Sequence, residues 1–227
     1  MTSKDIFGII DLSTIRKIQE AVQKDSDIMC LPIGGTYLQV KYPSEARGSE
    51  DIDFIVFHKK DINESELERM VIERLQSINC RRYTESNNPL NFKTHMGIKV
   101  HIYNQNIGEF EISTAMKERA STNHSLAIED FVFLKLLLSD REKDIGDIIF
   151  ILQNNQNFDW NQLFTELKSQ LEKFERKNGP STTTRKVTDI GATLEQIKDE
   201  YPDLVSDETL KLITELYFFY DSQREEL

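Results

Sequence analysis

Along the first half of the chain the spacing of apolar residues switches repeatedly between helical and extended periods. Ile15, Ile18 and Val22 recur at helical spacing, and Asp11 or Ser13 can cap that helix. An apolar run over residues 28–33 predicts a strand, followed by two glycines and a short helix from Thr36. Residues 51–57 predict a second strand. Residues 64–77 predict an amphipathic helix with Leu67, Met70, Val71, Leu75 and Ile78 on one side. A third strand is expected near 80–84, then a turn-rich stretch over 85–89. Residues 98–103 and 109–112 predict two more strands joined by the turn Asn104-Gln105-Asn106.

The second half reads as helical. Residues 127–139 are apolar nearly all round, which predicts a helix buried between layers. Further helices are expected over 143–153, 160–176, 194–199 and 207–222, with Thr193-Leu194-Glu195-Gln196 as a capping box. Residues 178–184 predict a flexible loop, and no internal repeat is present. The fold class is therefore α/β (α+β): a mixed sheet with flanking helices, followed by a helical C-terminal subdomain. The expected division is 1–124 and 125–227, with the boundary near 121–125.

With 227 residues the chain can build one sizeable core or two small subdomains. Its balance of 38% hydrophobic and 30% charged residues is that of a soluble globular protein, which excludes a disordered one. The longest apolar run, 128–138, is interrupted by Glu129, Asp130 and Lys135, so no membrane crossing is expected. The N-terminus holds too few apolar residues for a signal peptide, and a cytoplasmic protein is expected. Cys30 and Cys80 cannot build a disulfide framework or a four-cysteine zinc site and read as buried thiols. The net charge of −11 argues against broad coating of nucleic acid. Basic doublets are short: Lys59-Lys60, Arg81-Arg82 and Arg185-Lys186, compatible with a local RNA contact. An acidic balance suits a site that holds divalent cations, and equally a solvated acidic surface.

Candidate chemistry centres on Asp51-Ile52-Asp53-Phe54-Ile55-Val56-Phe57. Side chains alternate along a strand, so Asp51 and Asp53 share one face while Ile52, Phe54 and Val56 take the other. Their Cα atoms stand about 7 Å apart, close enough for two carboxylates to share a cation. Such a pair resists joint ionisation until a divalent ion neutralises it. Upstream, Pro32-Ile33-Gly34-Gly35-Thr36 ends a strand and opens a helix. Glycines there let a ligand approach the backbone, and the helix start favours phosphate. Taken separately, Asp-x-Asp also fits an edge strand with a solvated face, and Gly-Gly-Thr also fits a plain turn.

Read in order, Gly34-Gly35-Thr36 and Arg47-x-Ser49-x-Asp51-Ile52-Asp53-Phe54 resemble the nucleotidyltransferase superfamily with the polymerase-beta-like fold. The pattern looks closest to the branch of abortive-infection toxins and their relatives. Ala127-x-Glu129-Asp130-x-x-x-Leu134-Lys135-Leu136 and Asp140-Arg141-x-Lys143-Asp144-x-x-Asp147-Ile148 resemble that branch's helical motif. The resemblance spans roughly residues 28–150. It implies a nucleotidyltransferase-like sheet, with Gly34, Gly35, Thr36 and Arg47 on the phosphates of an NTP and Asp51 and Asp53 on Mg²⁺ or Mn²⁺. The implied reaction moves a nucleoside monophosphate to a hydroxyl of RNA, protein or a small molecule. The alternative is a catalytically degenerate nucleotide-binding or toxin–antitoxin-type module.

The family's third carboxylate comes from a later strand, and His101 stands in its place, among the catalytic candidates with Asp51 and Asp53. Imidazole suits other metals better than it suits magnesium, so lost catalysis, a different metal or a substitute acid at Glu109 or Glu111 all remain open. Lys135, in the apolar helix, either reaches phosphate or pairs with Asp130 or a helix-end carbonyl, while Asp144 and Asp147, with Arg141 one turn before Asp144, also fit an intrachain ion-pair network. The aromatic run 217–220 on the last helix can seed a homodimer.

Overall fold

The computed structural model describes residues 10–24, 27–58, 63–83, 90–108, 110–138 and 142–222. The chain forms two compact units, Met1–Leu126 and Ala127–Leu227.

The first unit opens with α1 (Leu12–Val22), whose N-cap Asp11 accepts from the backbone N–H of Ser13. Then follow β1 (Ile28–Pro32), α2 (Gly34–Lys41), β2 (Asp51–His58) and α3 (Glu64–Ser77). The strands β3 (Arg81–Arg82), β4 (Leu90–Lys93) and β5 (Lys99–Asn104) complete a five-stranded sheet in the order β1-β2-β5-β4-β3. Pairing is antiparallel except between β2 and β5, which run parallel. A separate two-stranded sheet joins β6 (Asn106–Ile107) to β7 (Phe110–Glu111), and α4 (Thr114–Asn123) follows.

One face of the large sheet is apolar. Cys30, Ile52, Phe54, Val56, Phe92, Val100 and Ile102 form a single buried cluster with Ile15, Ile18 and Val22 of α1 and Leu67, Val71 and Leu75 of α3. Each helix thus buries its i, i+3/i+4 stripe on the strand positions of even number in β2 and β5. The odd-numbered positions, including Asp51, Asp53, Lys99 and His101, fall on the opposite face.

The second unit contains α5 (Ile128–Leu138), α6 (Glu142–Asn154), α7 (Trp160–Asn178), α8 (Pro180–Glu200) and α9 (Asp207–Ser222). Residues 131–137 are all buried. Leu163, Leu167 and Leu171 of α7, and Val187, Ile190, Leu194 and Ile197 of α8, are buried at helical spacing.

Four sequence expectations are corrected. The loop predicted over 178–184 is a break of one residue, Gly179 at φ +80°, after which Pro180 opens α8. Thr183 and Thr184 fit the helix because their hydroxyls donate to the carbonyls of Gly179 and Pro180. The helix expected over 194–199 is the last part of α8, so Thr193 is interior and donates to the carbonyl of Asp189 instead of capping. The short helix expected from Thr36 begins two residues earlier, at Gly34. Three elements were not expected at all: β4, short and next to a turn-rich stretch; β6, whose Asn106 falls in the expected turn; and α4, whose surface is mostly polar but whose N-cap Ser113 accepts from Met116 N–H. The strand predicted over 80–84 is β3, and that over 109–112 is β7; Thr84 and Glu109 lie outside the described residues.

Candidate functional site

The site is built where α2 meets β2. Ile33 donates its backbone N–H to the carbonyl of Asp53, which holds the end of β1 on β2. The chain then turns through Gly34 at φ +56°, a conformation that L side chains rarely adopt, and α2 starts immediately. A Cβ on Gly34 would stand 3.0 Å from Oδ2 of Asp53. One on Gly35 would stand 2.7 Å from Oγ of Ser49 and 3.5 Å from Nη1 of Arg47. Glycine is therefore required twice, once for conformation and once for space. Among the described residues, no side chain caps the N-terminus of α2. Its first-turn N–H groups carry the positive end of the helix dipole toward the Asp53 carboxylate.

Thr36 is fully buried. Its hydroxyl accepts the backbone N–H of Asp53 at 2.9 Å and lies 3.4 Å from the carbonyl of Asp51. Ser49 donates to that same carbonyl at 2.8 Å. Two hydroxyls thus fasten the start of β2 and fix the direction of both aspartates. Thr36 positions the acidic strand. Arg47 is exposed, and its Nη1 donates to the carbonyl of Gly48 beside Gly35.

The parallel register of β2 with β5 sets Asp51 opposite Lys99 and Asp53 opposite His101. Nδ1 of His101 lies 2.9 Å from Oδ1 of Asp53. This hydrogen bond raises the pKa of His101 above its ordinary value. Partial burial opposes the rise, the charges of Asp53 and Asp51 add to it, and Lys99 weakens it. Asn91 of β4 faces His101 from the other side in the register.

Gly34, Gly35, Arg47, Asp51, Asp53 and His101 therefore stand together in the first unit. Lys135 belongs to the second, where its Nζ lies 2.5 Å from Oδ1 of Asp144 and 2.6 Å from Oδ2 of Asp147. Lys135 is thus ion-paired, but with the two aspartates of α6, partners the sequence reading did not give it, and all three side chains are buried. Arg141 lies outside the described residues. Glu111 is exposed and 3.9 Å from Lys117 Nζ. Sequence reasoning gave no role to Ser49, although it stands within the quoted motif. It also missed Asn91, because β4 was not expected.

Among the described residues, no group of three or more His, Cys, Asp or Glu side chains could hold a metal ion; a divalent cation here would rest on the two carboxylates of Asp51 and Asp53. Magnesium often takes only one or two protein carboxylates, with substrate phosphates and water filling the other positions. Asp51 and Asp53 would supply that partial set, with Gly34 3.0 Å from Oδ2 of Asp53 as judged by an added Cβ. His101 holds one oxygen of Asp53.

No protein-family model and no curated protein matches the chain. Solved structures similar to it include the following two. One is an H. pylori protein provisionally assigned as a nucleotidyltransferase, at 15% identity and a TM-score of 0.40, covering 94% of this chain and 96% of that one. The other is an antigenic nucleotidyltransferase-like protein from Paracoccidioides brasiliensis, at 12% identity and a TM-score of 0.45, covering 92% and 94%. No helix among the described residues is long and apolar enough to cross a membrane.

Proposed function

We propose that this chain is a metal-dependent nucleotidyltransferase, moving a nucleoside monophosphate from an NTP to an acceptor hydroxyl. The observation that carries the reading is the contact of the Gly34 turn with the Asp53 carboxylate, 3.0 Å from where a Cβ would stand. It sets an anion-attracting helix start against a cation-attracting acidic pair. A metal–triphosphate complex needs both at once. Gly34 and Gly35 offer backbone to the β- and γ-phosphates, and Arg47 supplies a guanidinium at the same rim. Asp51 and Asp53 hold Mg²⁺ or Mn²⁺, which when bound neutralises phosphate charge and lowers the pKa of the acceptor hydroxyl. The acceptor oxygen bonds to the α-phosphorus, the bond from that phosphorus to the α,β-bridging oxygen breaks, and pyrophosphate and a proton leave.

A second reading, nucleotide binding without turnover, is favoured by one contact. His101 stands against Asp53, so one carboxylate oxygen is held by a hydrogen bond. α-Phosphate-labelled NTPs, either metal, and mixed RNA, protein and small-molecule acceptors separate the two. Label transfer that Asp53→Ala abolishes supports the enzyme. Retained NTP binding with no transfer supports the binding module, which fits a toxin–antitoxin-type role in the cytoplasm. A homodimer through α9 belongs to the same proposal and is supported by Phe218 and Phe219, 64% and 48% exposed. Light scattering checks it.

A further inference from the structure

The sheet face that carries the acidic pair continues into a line of cations. The register sets Asp51 opposite Lys99, Lys99 opposite Lys93, and Lys93 opposite Arg81. Strand positions that pair directly across a sheet project to the same face. Lys99, Lys93 and Arg81 therefore form one row leading from Asp51 to the sheet edge. It crosses three strand spacings, about 14 Å. Lys93 and Arg81 are exposed, and Lys93 Nζ lies 4.7 Å from the ring centre of Tyr83, which marks it as lying on that face.

The row ends at a cavity of about 870 Å³. Lys17, Arg81, Arg82 and His95 line it together with Gln76, Asn79 and Thr94, and none of its lining residues among those described carries a carboxylate. In a chain with 39 acidic residues against 28 lysines and arginines, a cavity whose described lining holds three lysine or arginine side chains and no acid departs from the overall balance. β3 is the edge strand, and its two arginines alternate. Arg82 pairs with Phe92 of the helix-covered face, while Arg81 pairs with Lys93 of the site face. The edge thus joins the row to the cavity.

We propose that this row and cavity are the binding track for a single-stranded nucleic acid, whose phosphates follow Lys99, Lys93 and Arg81 into the Lys17–Arg82–His95 cavity. Cations spread along a line suit a ligand that repeats its charge, whereas one phosphate would need them converged. On the nucleotidyl-transfer reading, on which this rests, the acceptor must also present a hydroxyl beside Asp51. A strand end lying along this row does so. Phosphate contacts of this kind position a strand without reading its sequence.

The test is fluorescence anisotropy with a labelled oligoribonucleotide of about 12 nucleotides, in EDTA and without NTP, across a salt series. Binding by the wild type should weaken with salt. Arg81→Ala/Lys93→Ala should weaken it about tenfold and reduce the slope of log K against log salt by about 1.4, two single-strand phosphate contacts. Both side chains are exposed, so the double variant should fold, and its unchanged binding of NTP with Mn²⁺ shows that the nucleotide site is intact. Absence of oligonucleotide binding by the wild type at low salt overturns the proposal. So does an unchanged salt slope in the double variant, or tighter binding of a polyglutamate peptide of the same length. Failure of NTP binding alone overturns the nucleotidyltransferase reading and leaves the anisotropy result standing.

Discussion

Nδ1 of His101 lies 2.9 Å from Oδ1 of Asp53, directly across the parallel pair β2–β5. A cation-forming group thus stands against a carboxylate otherwise suited to a metal. The pair is partly buried, so solvent screens it incompletely. Asp51 adds a second negative charge and Lys99 an opposing positive one.

The pH dependence of stability follows from that contact. The folded pKa of His101 is raised, with the Asp53 hydrogen bond the largest cause. Its stabilisation is therefore fully present below the unfolded value of about 6.5 and is lost as pH rises through the folded value. Urea unfolding in EDTA should show His101→Asn less stable than wild type at about pH 5.5, with the gap narrowing by about pH 9. A gap independent of pH would show that the imidazole is held by packing alone.

His101→Asp should behave oppositely toward metal. It sets two carboxylates against each other across β2 and β5, which destabilises the metal-free protein. A divalent cation removes the repulsion and gains a hard oxygen ligand. Thermal unfolding should give a lower Tm than wild type in EDTA and a larger rise on adding Mg²⁺. An equal Mg²⁺ response in both proteins would place the cation elsewhere.

Gly34→Ala should be costly for two separable reasons. The left-handed conformation at φ +56° costs an L-residue about 1–2 kcal/mol. The new methyl also stands 3.0 Å from Oδ2 of Asp53, so that carboxylate must move. Chemical unfolding should report the first effect, and weaker NTP binding by folded protein the second. A variant as stable as wild type, with unchanged nucleotide affinity, contradicts the described turn.

In the second unit, Lys135 is ion-paired with the buried carboxylates of both Asp144 and Asp147. Lys135→Met leaves those charges without it and should cost about 3–5 kcal/mol in urea unfolding. Lys135→Met/Asp144→Leu/Asp147→Leu should recover much of that loss, because it removes the charges together. A mild effect from Lys135→Met alone would mean that another cation compensates them.

Local patterns made much of this fold legible. The alternation Ile52, Phe54, Val56 against Asp51, Asp53 needs no partner strand to be read, and these apolar residues do lie in the core beneath α1 and α3. Alternation also put Lys99, His101 and Tyr103 on one face, but which of them meets Asp53 is a matter of register between strands almost fifty residues apart. The basic row was hidden for the same reason: Arg81, Lys93 and Lys99 are scattered in sequence and align only once β4 is in place. Thr36 read as a ligand hydroxyl because its burial under β2 is a tertiary property. Around Gly179, polar composition imitated a loop that the threonine-to-carbonyl hydrogen bonds of α8 override.

Asp51 and Asp53, beside the Gly34–Gly35 turn, should bind an NTP together with a divalent cation. Titration calorimetry of the wild type and Asp53→Ala with each NTP, in Mg²⁺, in Mn²⁺ and in EDTA, tests it most directly. The account predicts binding by the wild type that requires metal, is retained with Mn²⁺, and is weakened at least tenfold, about 1.4 kcal/mol, in Asp53→Ala. Folded wild-type protein that binds no NTP at millimolar concentration with either metal, or binds it equally well in EDTA and in Asp53→Ala, would contradict it.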